Sequence, residues 1–423
     1  MTAPLPLRLL PDHASLDASG RLSIAGCDVL ELAATYGTPL FVYDEAHLRD
    51  RCRAAVEAFP DGAAYATKAF LCRAMAQLAH EEGMHLDVAT DGELHVALAA
   101  GVPASRLVLH GNNKSPDELR RAVVEGVHRI VVDSFDELDR LDALHAELGC
   151  RPQVLLRVTP GVEAHTHEFI STGIDDTKFG FTVSSGLAEQ AVQRARDARS
   201  VELVGLHAHI GSQVFRLDAI GQAVERVARL AQPYALPELS IGGGLGVAYV
   251  AEEEAPTIAQ WGGAVREACA RAGLDARITA EPGRSIVAAA AITLYTVGTI
   301  KDLPGIRTYV SVDGGMSDNP RPVLYGSGYE TFLPRATDAP RTRPVRLVGK
   351  HCESGDVLVR DGWVPHDLRV GDVLATPVTG AYGHSMGSNY QKVRRPAVVF
   401  VCDGEARPVV RRETLDDLLR FDV

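Results

Sequence analysis

An apolar run, AAYAT (63–67), delivers Lys68 and is followed at once by a second apolar run, AFLCRA (69–74). Lysine is among the residues least often buried without a partner, so a lysine at the end of a core-type strand needs a reason. Polar residues close seven further apolar runs in the same way: Asp87, His110, Asp133, Arg157, His209, the glycines Gly242, Gly243 and Gly244, and then Glu281 with Arg284. Two stretches point to an anion. IGGGLG (241–246) offers bare backbone N–H groups, and EPGRS (281–285) adds Pro282, Gly283 and the guanidinium of Arg284; backbone nests of this kind bind anions well. Taken singly, an Asp or Arg at a strand end more often caps or pairs locally, and Lys68 alone reads as a snorkelling side chain. A lysine, a phosphate cradle and an acid brought to one pocket suggest pyridoxal phosphate. The lysine forms an imine with the aldehyde and the carboxylate partners the ring nitrogen. Lys68 is then uncharged because its nitrogen is covalently engaged.

The elements that must position these residues recur between about 60 and 290. Strand candidates are AAYAT (63–67), HLDVAT (85–90), RLVLHG (106–111), RIVVDS (129–134), VLLRVTP (154–160), LVGLHAHIG (203–211), ELSIGGG (238–244) and RITAEPG (277–283). The segments between them carry apolar residues at helical spacing and end in glycine. Strict strand–helix alternation implies a parallel sheet, and about eight units in this length match a (β/α)8 barrel of the TIM type. A doubly wound open sheet is the alternative, but no G-x-G-x-x-G fingerprint supports it. In a barrel the C-terminal strand ends form one mouth, and the loops after strands seven and eight are its usual phosphate cradle. Past residue 290 the texture changes to short β runs (TYVSVD, VRLVGKH, VLVRDGWV, VLATPV, AVVFVCD) separated by turn residues, and the N-terminal forty residues look similar. The expected organisation is an N-terminal segment 1–43 that completes a mainly β domain (sandwich- or barrel-like), a cofactor-binding barrel 44–290, and the β domain 291–423.

Composition narrows the partners. The chain has 43 Lys+Arg against 55 Asp+Glu, a net charge of −12, with no basic run, so neither nucleic acid nor an anionic membrane is expected. The start, MTAPLPLRLLPDHASL, has no h-region of a secretory signal, and the longest apolar stretch, residues 286–300, is shorter than a membrane span requires. Seven cysteines without a C-x-x-C pair suggest reduced thiols in a cytoplasmic protein. No metal is expected: His207 and His209 share a strand face by spacing but lack completing ligands, and His165 with His167 lies in a loop. The remaining cysteines, Cys27, Cys52, Cys72, Cys150, Cys269 and Cys402, read as small buried hydrophobes.

The runs YATKAF, HGNNKS, RVTPGVEAHTHEFISTG, KFGF, GLHAHIGSQVF, GGGLGVAY, EPGRS, VDGGMSDNPRP, GKHCESGD and GAYGHSMGSNY, spread over residues 36 to 412, carry a family likeness. The chain resembles the alanine-racemase-like (fold type III) pyridoxal-phosphate enzymes and, within them, the diaminopimelate decarboxylases. The resemblance implies that Lys68 carries the cofactor, His209 stacks on its ring, and Ser212 with Gly242, Gly243, Gly244, Pro282, Gly283 and Arg284 surrounds the phosphate. Asp87 lies beside the cofactor, Glu281 keeps the ring nitrogen protonated, and Tyr382 contacts cofactor and substrate. It also implies a homodimer with shared sites, in which Cys352, the proton donor, and Glu353 reach the partner's pocket. Gly383 and His384 depart from what many relatives carry after this tyrosine, and Gln391 replaces a frequent asparagine.

Charge argues for the reaction and substrate. A carboxylate at the ring nitrogen favours the protonated pyridinium, a strong electron sink, whereas racemases of this fold use an arginine there; Glu281 therefore favours decarboxylation. The resemblance places Arg284, Arg321, Tyr325, Glu353 and Tyr382 around the substrate. The arginines suit a second carboxylate and Glu353 a distal ammonium, which together describe meso-diaminopimelate, with L-lysine as product. Alternatives are a related decarboxylase acting on ornithine, arginine or another amino acid, and a catalytically silent cofactor-binding regulator, which would require loss of Lys68, Cys352 or Glu281.

Overall fold

A computed structural model of the chain describes residues 3–161, 175–209 and 211–423; His165 and His167, weighed above as a ligand pair, lie outside the described residues. The chain forms two compact units: Arg51–Gly246 with Ala255–Ser285, and Met1–Asp50 with Val247–Glu254 and Ile286–Val423.

In the first unit eight parallel strands follow one another in chain order: Ala64–Ala66 (β1), His85–Val88 (β2), Leu107–Leu109 (β3), Arg129–Val132 (β4), Gln153–Thr159 (β5), Glu202–His207 (β6), Glu238–Ser240 (β7) and Arg277–Thr279 (β8). Each falls within or against one of the eight expected runs. The sheet closes on itself because the amide of Ala64 donates to Ala280 O at 2.8 Å and the amide of Ala280 to Gly62 O at 3.1 Å. Strands buried on both faces read as continuous apolar runs, as Leu107–Leu109 does, and Val108, Val131, Leu155 and Val204 meet in the core. The intervening helices obey local chemistry. Ser115 and Glu118 form a reciprocal capping box at Pro116–Glu125, which stops at Gly126 in the left-handed conformation. Gly205 is required where β6 meets β7, since a Cβ there would lie 2.1 Å from Glu238 O.

The second unit is mainly β. Its large sheet runs Val357–Val364, Arg343–Val348, Arg307–Val312, Ala291–Leu303, Leu40–Asp44, Ala397–Cys402 and Glu405–Val410, with Val373–Pro377 also paired to Ala291–Leu303. Leu40–Asp44 sits between strands from near residues 290 and 400, so the N-terminal segment does complete this sheet. A small antiparallel sheet, Ala14–Leu16, Leu22–Ile24 and Cys27–Asp28, precedes it. The apolar stretch 286–300 falls largely in the strand Ala291–Leu303, and no described helix is long and apolar enough to cross a membrane.

Candidate active site

Lys68 sits on a single 3-10 turn, Thr67–Ala69, immediately after β1. Thr67 and Ala69 are buried while Lys68 is exposed, and the Thr67 hydroxyl donates to Asp87 O at 2.8 Å, fixing the turn to β2. The expectation of a lysine at the end of a core strand is thus corrected in detail: the strand ends at Ala66, and the turn lifts the amine clear of the packed core. Its charge still acts on two buried groups of the mouth, Asp87 and His209. Burial raises the Asp87 carboxyl above its ordinary range, against the pull of His110 and Lys68.

Glu281 follows β8 and is held by groups from three other strands. Its Oε2 accepts from His207 Nε2 at 2.9 Å and its Oε1 from Ser240 Oγ at 2.9 Å. His110 Nε2 lies 3.2 Å from Oε1 and 3.6 Å from Asp87 Oδ1. Burial alone would raise the Glu281 carboxyl, but His110 and His207 hold it well below its ordinary range. Burial pulls His110 down, yet Asp87 and Glu281 outweigh it and the imidazole is shifted up. In His207 burial wins over Glu281 and the shift is downward. The site therefore favours an ionised Glu281 carboxylate, with His110 shifted toward its cationic form and His207 toward its neutral one. His110, His207 and Glu281 also have metal-ligand chemistry and lie within 4.8 Å of one another; as the donor to Glu281, however, His207 Nε2 carries a proton and has no lone pair for a cation.

The two glycine turns form a cradle that only glycine permits. Gly242 has φ +64° and Gly244 φ +114°, in the region that L side chains rarely adopt. A Cβ on Gly243 would lie 2.3 Å from Glu281 O, one on Gly244 2.4 Å from Gly211 O, and one on Gly283 2.9 Å from Ala66 Cβ. Gly243 donates its amide to His209 Nδ1 at 3.1 Å, orienting that ring; burial, with Lys68 and Arg157, keeps His209 far below its usual value and hence neutral. Arg284, buried, donates to Ser212 Oγ at 2.8 Å. An amine, an ionised acid, a neutral ring and a side-chain-free cradle with a Ser–Arg pair fit pyridoxal phosphate, whose aldehyde, ring nitrogen, ring face and phosphate call for these groups.

The remaining expected residues belong to the second unit. Arg321 is 4% exposed and opens the short helix Arg321–Tyr325, whose last residue is Tyr325. The Arg321 guanidinium stacks 4.2 Å over the Tyr249 ring and donates to Tyr329 Oη; no described carboxylate forms an ion pair with it. Tyr382 has φ +60°, an uncommon conformation for a non-glycine residue, and its oxygen acts electrostatically on Arg321. Cys352 and Glu353 are exposed. The Cys352 amide donates to Gln391 Oε1 at 3.1 Å, and Glu353 accepts from Tyr390 Oη.

Sequence reasoning missed Ser240 and misread His207. Spacing put His207 on one face with His209, but β6 ends at His207, so strand alternation no longer relates them; one turns to Glu281 and the other to Gly243. The Ser-x-Gly-Gly-Gly order at the end of β7 was the available signal for Ser240.

Residues 45–288 match the family of the pyridoxal-dependent decarboxylase, pyridoxal binding domain. The chain is 50% identical to the diaminopimelate decarboxylase of Mycobacterium tuberculosis over 98% of its own length and 97% of the relative's. It is 46% identical to that of Bacillus subtilis, with 96% and 95% covered. Among solved structures, the diaminopimelate decarboxylase of M. jannaschii in complex with L-lysine is similar with a TM-score of 0.91 and 32% identity, covering 97% of this chain and 98% of that one. A cradle built for pyridoxal phosphate and likeness along nearly the whole chain lead to the same assignment: the chain belongs to the diaminopimelate decarboxylase family of pyridoxal-dependent decarboxylases.

Proposed function

We propose that this chain decarboxylates meso-2,6-diaminopimelate to L-lysine and CO2 with pyridoxal 5'-phosphate held at Lys68. The observation that carries the reading is the gathering, at one barrel mouth, of the Lys68 amine, an ionised Glu281 and the glycine turns beside Ser212 and Arg284. The bound cofactor supplies an electron sink for the pair left when the bond from the α-carbon to CO2 breaks. Lys68 anchors its aldehyde, His209 lies on its ring, Glu281 keeps its nitrogen protonated, and Asp87 and Tyr382 flank it. Ser212, Gly242, Gly243, Gly244, Pro282, Gly283 and Arg284 enclose the phosphate.

Substrate choice rests on Arg321. A buried guanidinium among tyrosines, with no described carboxylate as partner, is suited to an incoming one. With Arg284 and Tyr325 it takes the distal carboxylate, and Glu353 the distal ammonium. Cys352 returns a proton to the α-carbon in place of CO2. The exposure of Cys352 and Glu353 supports a homodimer in which each chain lends these two residues to its partner's site, and seven cysteines with no disulfide among the described residues support a cytoplasmic setting. Turnover of meso-diaminopimelate measured beside ornithine, arginine and lysine tests the reading. Turnover of the diacid alone is expected, and activity confined to a basic amino acid would reject it.

A further inference from the structure

We propose that His207 and His110 are positioning residues for Glu281, holding its carboxylate ionised and aimed so that it keeps the cofactor's pyridine nitrogen protonated. The inference rests on the assignment of Glu281 to that nitrogen. A carboxylate has about four lone-pair sites. Ser240 and His207 each donate to Glu281 at 2.9 Å, and His110 stands 3.2 Å away. These protein groups leave little of the carboxylate free for anything except the ring.

The two histidines divide the work. His207, 1% exposed, must carry its proton on Nε2 to donate to Glu281, and its buried Nδ1 has no hydrogen-bond partner among the described residues. Glu281 alone therefore fixes this tautomer and, in return, receives a directed donor. His110 stands between two carboxylates, Asp87 and Glu281, and meets the His207 ring edge-on at 5.0 Å. A proton on His110 offsets the charge of both acids.

Without these two neighbours a buried Glu281 would take up a proton of its own, because desolvation favours the neutral acid. A neutral carboxyl donates its O–H to a bare pyridine nitrogen instead of accepting from a pyridinium. The ring would then lose its full positive charge and withdraw electrons less strongly. His207 acts on Glu281 through a directed hydrogen bond, whereas His110 acts as a neighbouring positive charge 3.2 Å away.

The test uses full-length protein loaded with pyridoxal phosphate labelled with 15N in its ring, whose chemical shift reports whether that nitrogen is protonated. Wild type and His207→Gln, which keeps an N–H donor, are expected to give the protonated signal. His207→Leu, His110→Leu and above all the double variant are expected to move it toward the unprotonated value, with kcat reduced roughly tenfold or more and KM little changed. Should His207→Leu fail to fold, His207→Phe fills the space without the donor and is read in its place. Glu281→Gln separates the two levels of the argument. If it loses the protonated signal while the loaded double histidine variant retains it, the positioning role is overturned and the Glu281 assignment stands. If Glu281→Gln itself retains the signal, that assignment falls and the positioning role falls with it.

Discussion

Arg284 Nη2 donates to the Ser212 hydroxyl at 2.8 Å, joining the turn after β8 to the turn after β6. A guanidinium has donors to spare after one such bond, so the contact aims the serine without exhausting the arginine. The pair stands beside glycine turns that admit no side chain. Ser212→Ala is expected to weaken cofactor binding roughly tenfold, the size of one lost charge-assisted hydrogen bond, while thermal unfolding of the cofactor-free protein stays put. Fluorescence titration with pyridoxal phosphate measures it; an unchanged dissociation constant would remove Ser212 from the phosphate site.

Lys68 and Cys352 lie in different compact units of one chain, and the proposed dimer assigns them to one site contributed by two chains. Lys68→Ala is expected to lose both activity and the absorbance band, near the visible edge, of the lysine-bound cofactor. Cys352→Ala is expected to lose activity while keeping that band. After subunit exchange between the two inactive variants, each hybrid contains one site with both residues intact, so part of the activity should return. Confirmed exchange with no recovery would mean that sites are not shared.

Lys114, in the HGNNKS run, is 2% exposed. Its Nζ donates to Gly111 O at 2.7 Å, Val131 O at 2.6 Å and Glu137 Oε1 at 2.7 Å. Burial lowers the lysine and raises the glutamate, each against the attraction of the other. Breaking such a pair from one side leaves a buried charge unpaired. Lys114→Met is therefore expected to cost about 3–5 kcal/mol in denaturant unfolding, and Lys114→Met with Glu137→Leu to recover much of it. An unchanged unfolding midpoint in the single variant would contradict the argument.

The barrel was legible because each of its strands is a short apolar run closed by a polar residue, and alternation with helical segments leaves few topologies. The mouth was legible for the same reason: Asp87, His110, His209 and Glu281 mark strand ends. What a linear pattern does not carry is direction. His207 and His209 differ by two positions, yet the strand stops between them, and only the closed barrel turns the first toward Glu281. Lys114 with Glu137, and Arg321 with Tyr249, are separated in sequence by turns and whole elements. Their pairing depends on which faces the fold brings together, and periodicity cannot assign that. Lys68 shows the converse: its place just after the first barrel strand was readable, but its exposure depends on one 3-10 turn that propensity does not distinguish from a continuing strand.

Asp318, three residues before Arg321, is buried. Its Oδ2 accepts from Tyr295 Oη at 2.6 Å and its Oδ1 from the Gly315 amide at 2.7 Å. Burial pushes the carboxyl up to about 7, with Asp356 and Asp313 adding to the shift and the Tyr295 and Gly315 bonds opposing it. In the unfolded chain the same group ionises near 3.8, so between these values the folded protein binds the extra proton. The stability this contributes is complete below 3.8 and drains away as pH rises toward about 7. Asp318→Asn has no such proton to lose: it keeps an acceptor for Gly315 and presents Nδ2 to the Tyr295 oxygen. Its stability relative to wild type is thus expected to increase between about pH 4 and pH 7 and to level off above that. Denaturant unfolding of both proteins across that range checks it. Parallel curves would show that Asp318 is already ionised inside the fold, its charge held by the hydrogen bonds from Tyr295 and Gly315.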